Sequence, residues 1–299
     1  MNNVPRETTA ENPSIEGFSG IKILDLKDEF LTNENFSIYK DQNTGVLYTY
    51  PQPLNNLSKY YESENYISHT DGKKSLFEKI YQIAKHYNLN QKLKLIKETT
   101  KGKSILDYGC GAGDFLQHMQ NNGYDVKGME PNAKAFVISQ SKIGKENVVN
   151  CELKDINQKF DIITLWHVLE HIPNLNEIIE ELKKHLNPNG TLIIAVPNHS
   201  SYDAKHYKEK WAAYDVPRHL WHFNAESISK LFNNFGMKIE NVSPMKLDAF
   251  YVSLLSEKYN GNSFPFLKAF YIGIVSNFKA QKNGQYSSLI YTIKTNNQN

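Results

Sequence analysis

Apolar and polar positions follow two different patterns, one before and one after residue 100. Between residues 36 and 50, apolar side chains alternate weakly with polar ones on either side of the turn-like stretch 41–45, which predicts a β-hairpin. From Leu57 to Thr100 the apolar positions recur at helical spacing, as at Leu76, Ile80 and Ile83. The stretch 101–103 then ends the helical pattern.

Beyond residue 103, short apolar runs alternate with helical patterns. The runs predict strands at 104–107, 125–129, 147–150, 160–166, 191–196, 237–242 and 287–293. Helices are predicted between them at 113–122, 132–143, 174–186 and 225–235. Strands joined through helices by such short connections are typical of a parallel sheet with helices on its faces, so we predict an α/β fold.

The same pattern divides the chain into four segments. We expect a flexible tail at 1–20, an N-terminal cap of a hairpin plus helices at 21–100, a ligand-binding core at 101–245, and a C-terminal insertion with a final strand at 246–299.

Composition narrows the class of protein. Of 299 residues, 40% are hydrophobic and 12% aromatic, so the chain can bury a full core. A net charge of +2 gives no general attraction for nucleic acid or an anionic membrane. Two cysteines exclude a disulfide scaffold. The first residues lack a signal-peptide pattern and no apolar run approaches ~20 residues. We therefore predict a cytoplasmic protein.

A glycine-rich loop follows the first strand of the core. It reads Asp107-Tyr108-Gly109-Cys110-Gly111-Ala112-Gly113-Asp114-Phe115. Compared with the dinucleotide pattern G-x-G-x-x-G, the third glycine comes one residue early and an acidic residue follows, which disfavours a pyrophosphate. Glu130 ends the second strand, where a carboxylate can accept both ribose hydroxyls. The pattern indicates a nucleoside ligand without phosphates.

These residues resemble the cofactor site of class I S-adenosylmethionine-dependent methyltransferases. Three later stretches are similar to the same family, in its small-molecule and quinone O-methyltransferase branch: Phe160–Ile163, Leu169–Pro173 and Leu186–Leu192. The resemblance covers residues 101–245. It implies a doubly wound, Rossmann-like sheet of seven strands, mostly parallel with the last strand antiparallel, which binds S-adenosyl-L-methionine and releases S-adenosyl-L-homocysteine.

The resemblance also implies roles for individual residues. Glu130 binds the ribose, the three glycines shape the methionine pocket, and Asp107 orients the ammonium group. The implied cofactor-binding set is Asp107, Tyr108, Gly109, Cys110, Gly111, Gly113, Phe115, Glu130, Pro131, Leu153, Trp166 and His167.

The acceptor side is expected after the fourth and fifth strands of the core. All three tryptophans and six of the ten histidines lie between residues 166 and 222, and a long loop spans 202–223. A hydroxyl acceptor must lose a proton, a role that suits His167, His219 or His222. Arg218, one of two arginines, either clamps an acidic group of the acceptor or pairs locally with Asp215.

A metal site is a weaker hypothesis. His167, Glu170 and His171 have the spacing of one helical face, and some quinone O-methyltransferases that this stretch resembles carry Glu-x-x-Glu-His and use a metal there. His167 departs from the first Glu of that pattern. We therefore predict no metal, with Glu170 and His171 capping the following helix.

Taken together, the sequence predicts a methyltransferase that acts on an oxygen of a small or carrier-linked metabolite. Nitrogen or carbon acceptors stay open. The alternatives are a non-catalytic S-adenosylmethionine-binding regulator and an NAD-linked oxidoreductase, which the loop spacing opposes. The stretch 165–168 lacks the Asn/Asp-Pro-Pro-aromatic motif of base-modifying enzymes, so no nucleic-acid partner is expected. Aromatic residues at 60–69 are expected to pack as ordinary core residues, with a lid as the alternative. The stretch 249–279 either covers an apolar acceptor or forms a homodimer contact.

Overall fold

The computed structural model describes residues 14–61 and 76–296, which form two β-sheets and eight α-helices. The strands are β1 (Ser14–Ile15), β2 (Phe18–Lys27), β3 (Asn35–Asp41), β4 (Leu47–Tyr50), β5 (Ser104–Tyr108), β6 (Asp125–Met129), β7 (Val148–Val149), β8 (Phe160–Trp166), β9 (Leu186–Pro197), β10 (Trp221–His222), β11 (Met237–Pro244) and β12 (Ser288–Thr295). The helices are α1 (Leu76–Thr99), α2 (Asp114–Gln120), α3 (Ala133–Ile143), α4 (Leu175–Lys184), α5 (Tyr202–Tyr207), α6 (Ala225–Asn233), α7 (Asp248–Tyr259) and α8 (Pro265–Asn283).

The larger sheet has seven strands in the order β11-β12-β9-β8-β5-β6-β7. Its strands from β9 to β7 pair in parallel. The last strand, β12, lies between β9 and β11 and pairs antiparallel with both. The predicted α/β fold with a seven-stranded, mostly parallel sheet and an antiparallel last strand is therefore confirmed.

The central strands are apolar along their whole length because helices cover both faces of the sheet. In β8, Ile162 and Ile163 point to opposite faces, and both are fully buried. Ile163 packs in a cluster with side chains of α4 and α6, and Ile162 packs in a second cluster with side chains of α1 and α2. This arrangement brings the carboxyl ends of the parallel strands to one edge, where loops can form a site.

The smaller sheet is antiparallel and forms the cap, in the order β1-β2-β3-β4-β10. The predicted hairpin is present as β3 and β4. Strand structure begins at Ser14, inside the stretch 1–20 that the sequence assigned to a tail, because Phe18 is buried with its ring 4.8 Å from that of Trp221. Residues 1–13 and positions 62–69 of the aromatic stretch 60–69 lie outside the described residues.

Strand β10 joins the cap to the core, so the cap is not confined to residues 21–100. Trp221 and His222 come from the long loop after β9 and pair with Tyr48 and Leu47 of β4. Thr49 donates its backbone N–H to the Leu220 carbonyl oxygen over 2.9 Å. The loop that the sequence assigned to acceptor recognition therefore serves as an edge strand of the cap.

A buried carboxylate ties the same loop to the C-terminal insertion. Asp203, in α5, accepts hydrogen bonds from Trp211 Nε1, Ser276 Oγ and Ser287 Oγ over 2.7–2.8 Å. Ser276 belongs to α8, and Ser287 directly precedes β12. The insertion of α7 and α8, which lies between β11 and β12 in the sequence, thus packs on the loop. In the described part of the chain, no helix has the length and apolar character needed to cross a membrane.

Candidate functional site

The glycine-rich loop makes a sharp turn between β5 and α2. Gly109, Gly111 and Gly113 all have positive φ, between 55° and 77°, which favours glycine over any other residue. A Cβ atom on Gly109 would come within 2.7 Å of Val168 Cγ2, whereas one on Gly111 would meet no heavy atom within 4 Å. The loop therefore packs tightly at its first glycine and leaves open space beside its second.

Glu130 is held against this loop at the end of β6. Its Oε2 accepts the backbone N–H of Gly111 over 2.7 Å, and its Oε1 accepts that of Asn132 over 2.8 Å. The residue is 8% exposed. Each carboxylate oxygen has more than one acceptor site, so these bonds leave capacity for hydroxyl donors of a ligand. Pro131 follows Glu130 and is exposed.

Asp107 and Lys92 bring two charges into the same apolar surroundings. Asp107 is buried, and its Oδ1 accepts a hydrogen bond of 2.6 Å from Thr164 Oγ1. Burial raises the pKa of Asp107, and burial lowers the pKa of Lys92, while the attraction between the two charges opposes both shifts. The Lys92 ammonium lies 4.0 Å from the centroid of the Trp166 ring.

Lys92 is a site residue that the sequence analysis missed. It lies on α1 in the helical series Leu89, Lys92, Leu93 and Ile96, where it is the one charged member of an otherwise apolar stripe. A charged side chain on the buried stripe of an amphipathic helix is the signal that could have identified it.

The remaining predicted cofactor residues lie around the same edge of the sheet. Phe115 is buried, and its ring packs against that of Trp166 with 5.3 Å between centroids. Trp166 Nε1 is buried without a hydrogen-bond partner in the described structure. Leu153 is buried in a short turn after β7, and Tyr108 is partly exposed at the end of β5. Burial raises the pKa of Cys110, so its thiol packs in the core as a neutral group.

His167 occupies a strained position directly after β8. Its φ is 57°, a left-handed conformation that is rare for a residue with a side chain. Its Nε2 lies 3.1 Å from Asp248 Oδ2 at the start of α7, and its Nδ1 lies 3.4 Å from Glu170 Oε1. Burial opposes a charge on the ring, but the two carboxylates raise the pKa of His167 to about 10. A histidine that stays protonated at neutral pH is a poor general base.

Glu170, His171 and His219 form a group that could hold a metal ion. One ligand atom from each lies within 4.8 Å of the other two. Glu170 is 1% exposed, and neither of its carboxylate oxygens has a hydrogen-bond partner in the described structure. His171 and His219 each direct Nδ1 at a carbonyl oxygen 2.9 Å away, so Nδ1 carries the proton and Nε2 keeps a lone pair.

This group differs from the trio named in the sequence analysis. His219 takes the place of His167, whose ring is engaged by Asp248. The hypothesis that Glu170 and His171 merely cap a helix is not supported, because α4 begins at Leu175 and no side chain caps its first turn. A buried carboxylate beside two imidazoles is a donor set that suits a divalent transition metal.

Arg218 and His222 lie away from the glycine loop. Arg218 is 1% exposed and donates to Asp28 Oδ1 over 2.8 Å, to Asp215 Oδ1 over 2.7 Å and to the Tyr60 carbonyl oxygen over 3.2 Å. Two roles were left open for Arg218, and the structure contains the local pair with Asp215. Arg218 also pairs with Asp28 of the cap. No acceptor clamp is formed, because the chain's own acceptors already occupy the guanidinium.

His222 is likewise engaged within the cap. Its Nε2 lies 3.0 Å from Thr49 Oγ1, and that hydroxyl donates its own proton to the His219 carbonyl oxygen. The Thr49 oxygen must therefore accept from His222, which leaves Nε2 without a lone pair for catalysis. Burial lowers the pKa of His222 well below its ordinary value. Nε2 of His222 is thus not available as a general base in this structure.

Comparison with known proteins shows the family and the fold. Residues 81–242 match the family described as a methyltransferase domain, more than half of the chain. A ubiquinone biosynthesis O-methyltransferase from Glaesserella parasuis is 32% identical over 112 residues, which are 33% of this chain and 48% of the relative. One of the same description from Coxiella burnetii is 29% identical over 116 residues, 36% of this chain and 50% of the relative. The chain therefore spans about half the length of the curated relatives it matches.

Solved structures give the same fold at low identity. The magnesium protoporphyrin IX methyltransferase of Synechocystis, with bound SAH, has a TM-score of 0.50 and 15% identity, and the match covers 82% of this chain and 95% of that one. The protein described as StiE O-MT, residues 961–1257, has a TM-score of 0.51 and 14% identity, with 76% and 79% covered.

Proposed function

Because the chain belongs to the methyltransferase-domain family matched over residues 81–242, we propose that it transfers a methyl group from S-adenosylmethionine to an oxygen of a small or carrier-linked metabolite. The observation that carries this proposal is the contact of Glu130 with Gly111, which joins the tip of the second core strand to the glycine-rich loop. The carboxylate, the three left-handed glycines and the open space beside Gly111 suit a nucleoside that lacks phosphates.

The residues present fit the cofactor at both of its ends. Glu130 would accept the ribose hydroxyls, and the unpartnered Trp166 Nε1 marks a polar position inside the apolar wall. Asp107 would bind the ammonium group of the methionine part, and Lys92 would bind its carboxylate. The ligand would then lie between the two charged side chains. When bound, S-adenosylmethionine supplies the electrophilic methyl group.

The acceptor would enter above the carboxyl ends of β8 and β9. His167, fixed from both sides by Glu170 and Asp248, would orient this wall rather than accept a proton. Transfer of a methyl group is an in-line displacement, so alignment and exclusion of water contribute more than stabilisation of new charge. The relatives that bear the description ubiquinone biosynthesis O-methyltransferase support an oxygen acceptor, and a hydroxyl on a quinol-type ring is the first class to test.

The group of Glu170, His171 and His219 would hold a divalent ion next to this wall. The fit rests on the Glu170 oxygens, which are buried and have no hydrogen-bond partner in the described structure, while Oε1 lies 3.4 Å from the His167 ring. Such an ion lowers the pKa of a hydroxyl that binds to it. A bound acceptor hydroxyl would then lose its proton more readily, so a histidine base would be less necessary.

The test is transfer of a labelled methyl group. The purified chain, with and without a divalent metal, is incubated with methyl-labelled S-adenosylmethionine and separate panels of phenols, aliphatic alcohols and amines. We expect label in a phenol or alcohol, and none with Gly111→Arg, which fills the open space. Gly123→Asn is the matched control, because Gly123 also has a positive φ but lies at the turn after α2. Cofactor binding without transfer to any panel would instead support a non-catalytic regulator.

A further inference from the structure

Helix α8 carries a continuous apolar face that the rest of the described chain does not cover. Its inner side, with Ala269, Ile272 and Ser276, is buried. Its outer side and the residue before it expose large apolar residues, each between 47% and 79% accessible: Phe264, Leu267, Phe270, Tyr271, Ile274 and Phe278. Four of them recur at helical spacing, at 267, 271, 274 and 278, so the face is a stripe along one side of the helix.

The area of this face is large for a protein surface. With ~200 Å² for each of these side chains, the exposed fractions add up to roughly 800 Å². The largest apolar patch on a monomeric protein is typically about 300–600 Å². One side of α8 is therefore buried and the other is presented outward.

The helix is held firmly while it presents this face. A Cβ atom on Gly273 would approach Phe250 Cδ1 of α7 to 2.5 Å, so α7 and α8 pack closely. Ser276 donates to the buried Asp203, which anchors the helix to the loop below it. The outward side chains are thus displayed by a fixed helix of about 28 Å in length.

The charges within α8 itself are all of one sign. Between Pro265 and Asn283 the sequence has three lysines, Lys268, Lys279 and Lys282, and no acidic residue. Lys268 pairs with the buried Glu257 at 3.0 Å. Lys279 and Lys282 lie in the last turns, where Lys279 also lies 3.8 Å from the centroid of the Tyr202 ring.

We propose that the outer face of α8 binds the surface of a membrane that contains anionic lipid. Exposed aromatic and aliphatic side chains flanked by lysines are the pattern of a helix that lies in the interface of a bilayer. Anionic headgroups complement Lys279 and Lys282, whereas a second copy of the helix would bring more lysines and no carboxylate of its own. A net charge of +2 for the whole chain does not conflict with this, because the attraction is local to the helix.

The position of the helix has a consequence for substrate choice. The partner helix α7 begins at Asp248, whose carboxylate contacts His167 at the reactive edge of the sheet. A membrane bound to α8 would therefore be linked to that edge through α7, and an apolar acceptor in the membrane is the class that such an arrangement would favour. This consequence rests on the proposed methyl transfer, but the binding itself does not.

The test is flotation of the full chain with lipid vesicles. Vesicles of equal parts phosphatidylglycerol and phosphatidylcholine are compared with vesicles of phosphatidylcholine alone, at low and high salt. We expect binding to the anionic vesicles that weakens as salt rises. Leu267→Glu and Phe270→Glu should each lower the partition coefficient about tenfold or more, since each removes one inserted apolar side chain. Lys279→Gln and Lys282→Gln should each lower it roughly fivefold.

Val137→Glu is the matched control, because Val137 is 64% exposed on the surface of α3, away from the stripe, and the variant should bind as the parent does. Circular dichroism establishes that each variant is folded. Absence of flotation with anionic vesicles, or equal losses for Val137→Glu and Leu267→Glu, would overturn the proposal. A dimer in light scattering that Leu267→Glu dissociates, without vesicle binding, would assign the face to a second copy instead. Loss of methyl transfer with flotation unchanged would count only against the proposed function.

Discussion

His167 Nε2 lies 3.1 Å from Asp248 Oδ2, so the first residue of α7, in the C-terminal insertion, contacts the residue that follows the fourth core strand. The two positions are far apart in sequence, and their contact links the insertion to the predicted methyl-transfer edge. The left-handed backbone of His167 turns its ring between Asp248 and Glu170. The insertion is therefore part of the wall of the site.

Replacement of Asp248 should weaken catalysis more than cofactor binding. Asp248→Ala removes one charge-assisted contact of His167, a loss of about 1.5–3 kcal/mol, which corresponds to roughly ten- to a hundredfold in kcat. The Kd for S-adenosylmethionine should change little, because Glu130 and the glycine loop are untouched. Steady-state kinetics and calorimetry measure the two quantities. Asp125→Asn, an exposed change at the start of β6, is the control; equal activity of Asp248→Ala and this control would remove the role for Asp248.

Replacement of Glu130 should weaken cofactor binding first. Glu130→Ala removes the acceptor for the Gly111 and Asn132 backbone N–H groups as well as the proposed ribose contact. We expect a rise in the Kd for S-adenosylmethionine of about tenfold or more. Glu130→Gln keeps one acceptor oxygen and should be intermediate, while the exposed Glu146→Gln should match the parent. An unchanged Kd in Glu130→Ala would contradict the proposed site.

Replacement of Arg218 should reduce stability. Arg218→Ala leaves Asp28 buried at 0% exposure without its cation, and breaking a buried pair from one side costs about 3–5 kcal/mol. Urea denaturation of the purified chain measures the loss. Arg218→Met combined with Asp28→Asn should recover part of it, because no buried charge of that pair is then left alone. A stable Arg218→Ala with a raised KM for the acceptor would restore the acceptor-clamp hypothesis.

Replacement of His219 should reduce the amount of metal that the purified chain binds. We expect the purified chain to retain a divalent ion, and a chelator to remove it. His219→Ala should lower the metal content well below one ion per chain. His199→Ala is the control, since His199 is a partly buried histidine of the same loop outside this group. Elemental analysis gives the result without any acceptor, and equal metal content in both variants would exclude the site.

Acid should weaken the sheet through Asp161. Partial burial opposes ionisation, but hydrogen bonds from Asn187 and from the backbone N–H groups of Ser104 and Lys103 lower the pKa of Asp161 to about 2. Because the folded pKa is depressed, this stabilisation is present above the unfolded pKa near 4 and is lost as the pH falls from about 4 to about 2. Asp161→Asn should be less stable at neutral pH and should lose less stability over that interval, as urea titrations at several pH values would measure.

The core fold could be predicted because its signals are local. The apolar run of β8 and the glycines that follow β5 predict a strand and a turn without knowledge of any partner strand. The pairing of β10 with β4 could not be predicted in this way, because two residues carry no periodicity and their partners lie more than 170 positions earlier.

The same limit explains the site. The spacing of His167, Glu170 and His171 describes one short turn. It contains no information about Asp248 or His219, which lie far away in the sequence but contact this turn in the fold. The ring of His167 contacts Asp248, and His219 lies with Glu170 and His171 in the group that could hold a metal ion. Arg218 was conspicuous as one of two arginines, yet rarity in composition does not distinguish a ligand-binding cation from one buried between carboxylates of its own chain.

Because β12 lies between β9 and β11, the larger sheet cannot be completed until β12 has been synthesised. This strand is the last of the larger sheet to be synthesised, and it lies between β9 and β11, with Leu289 opposite Val196 and Ile293 opposite Leu192. In a nascent chain that has emerged only as far as α8, the edges of β9 and β11 that pair with β12 are still unpaired. The aromatic face of α8 is already outside the ribosome at that stage. During synthesis, the interval between residues 283 and 295 is consequently the stage at which we expect chaperones to be most needed.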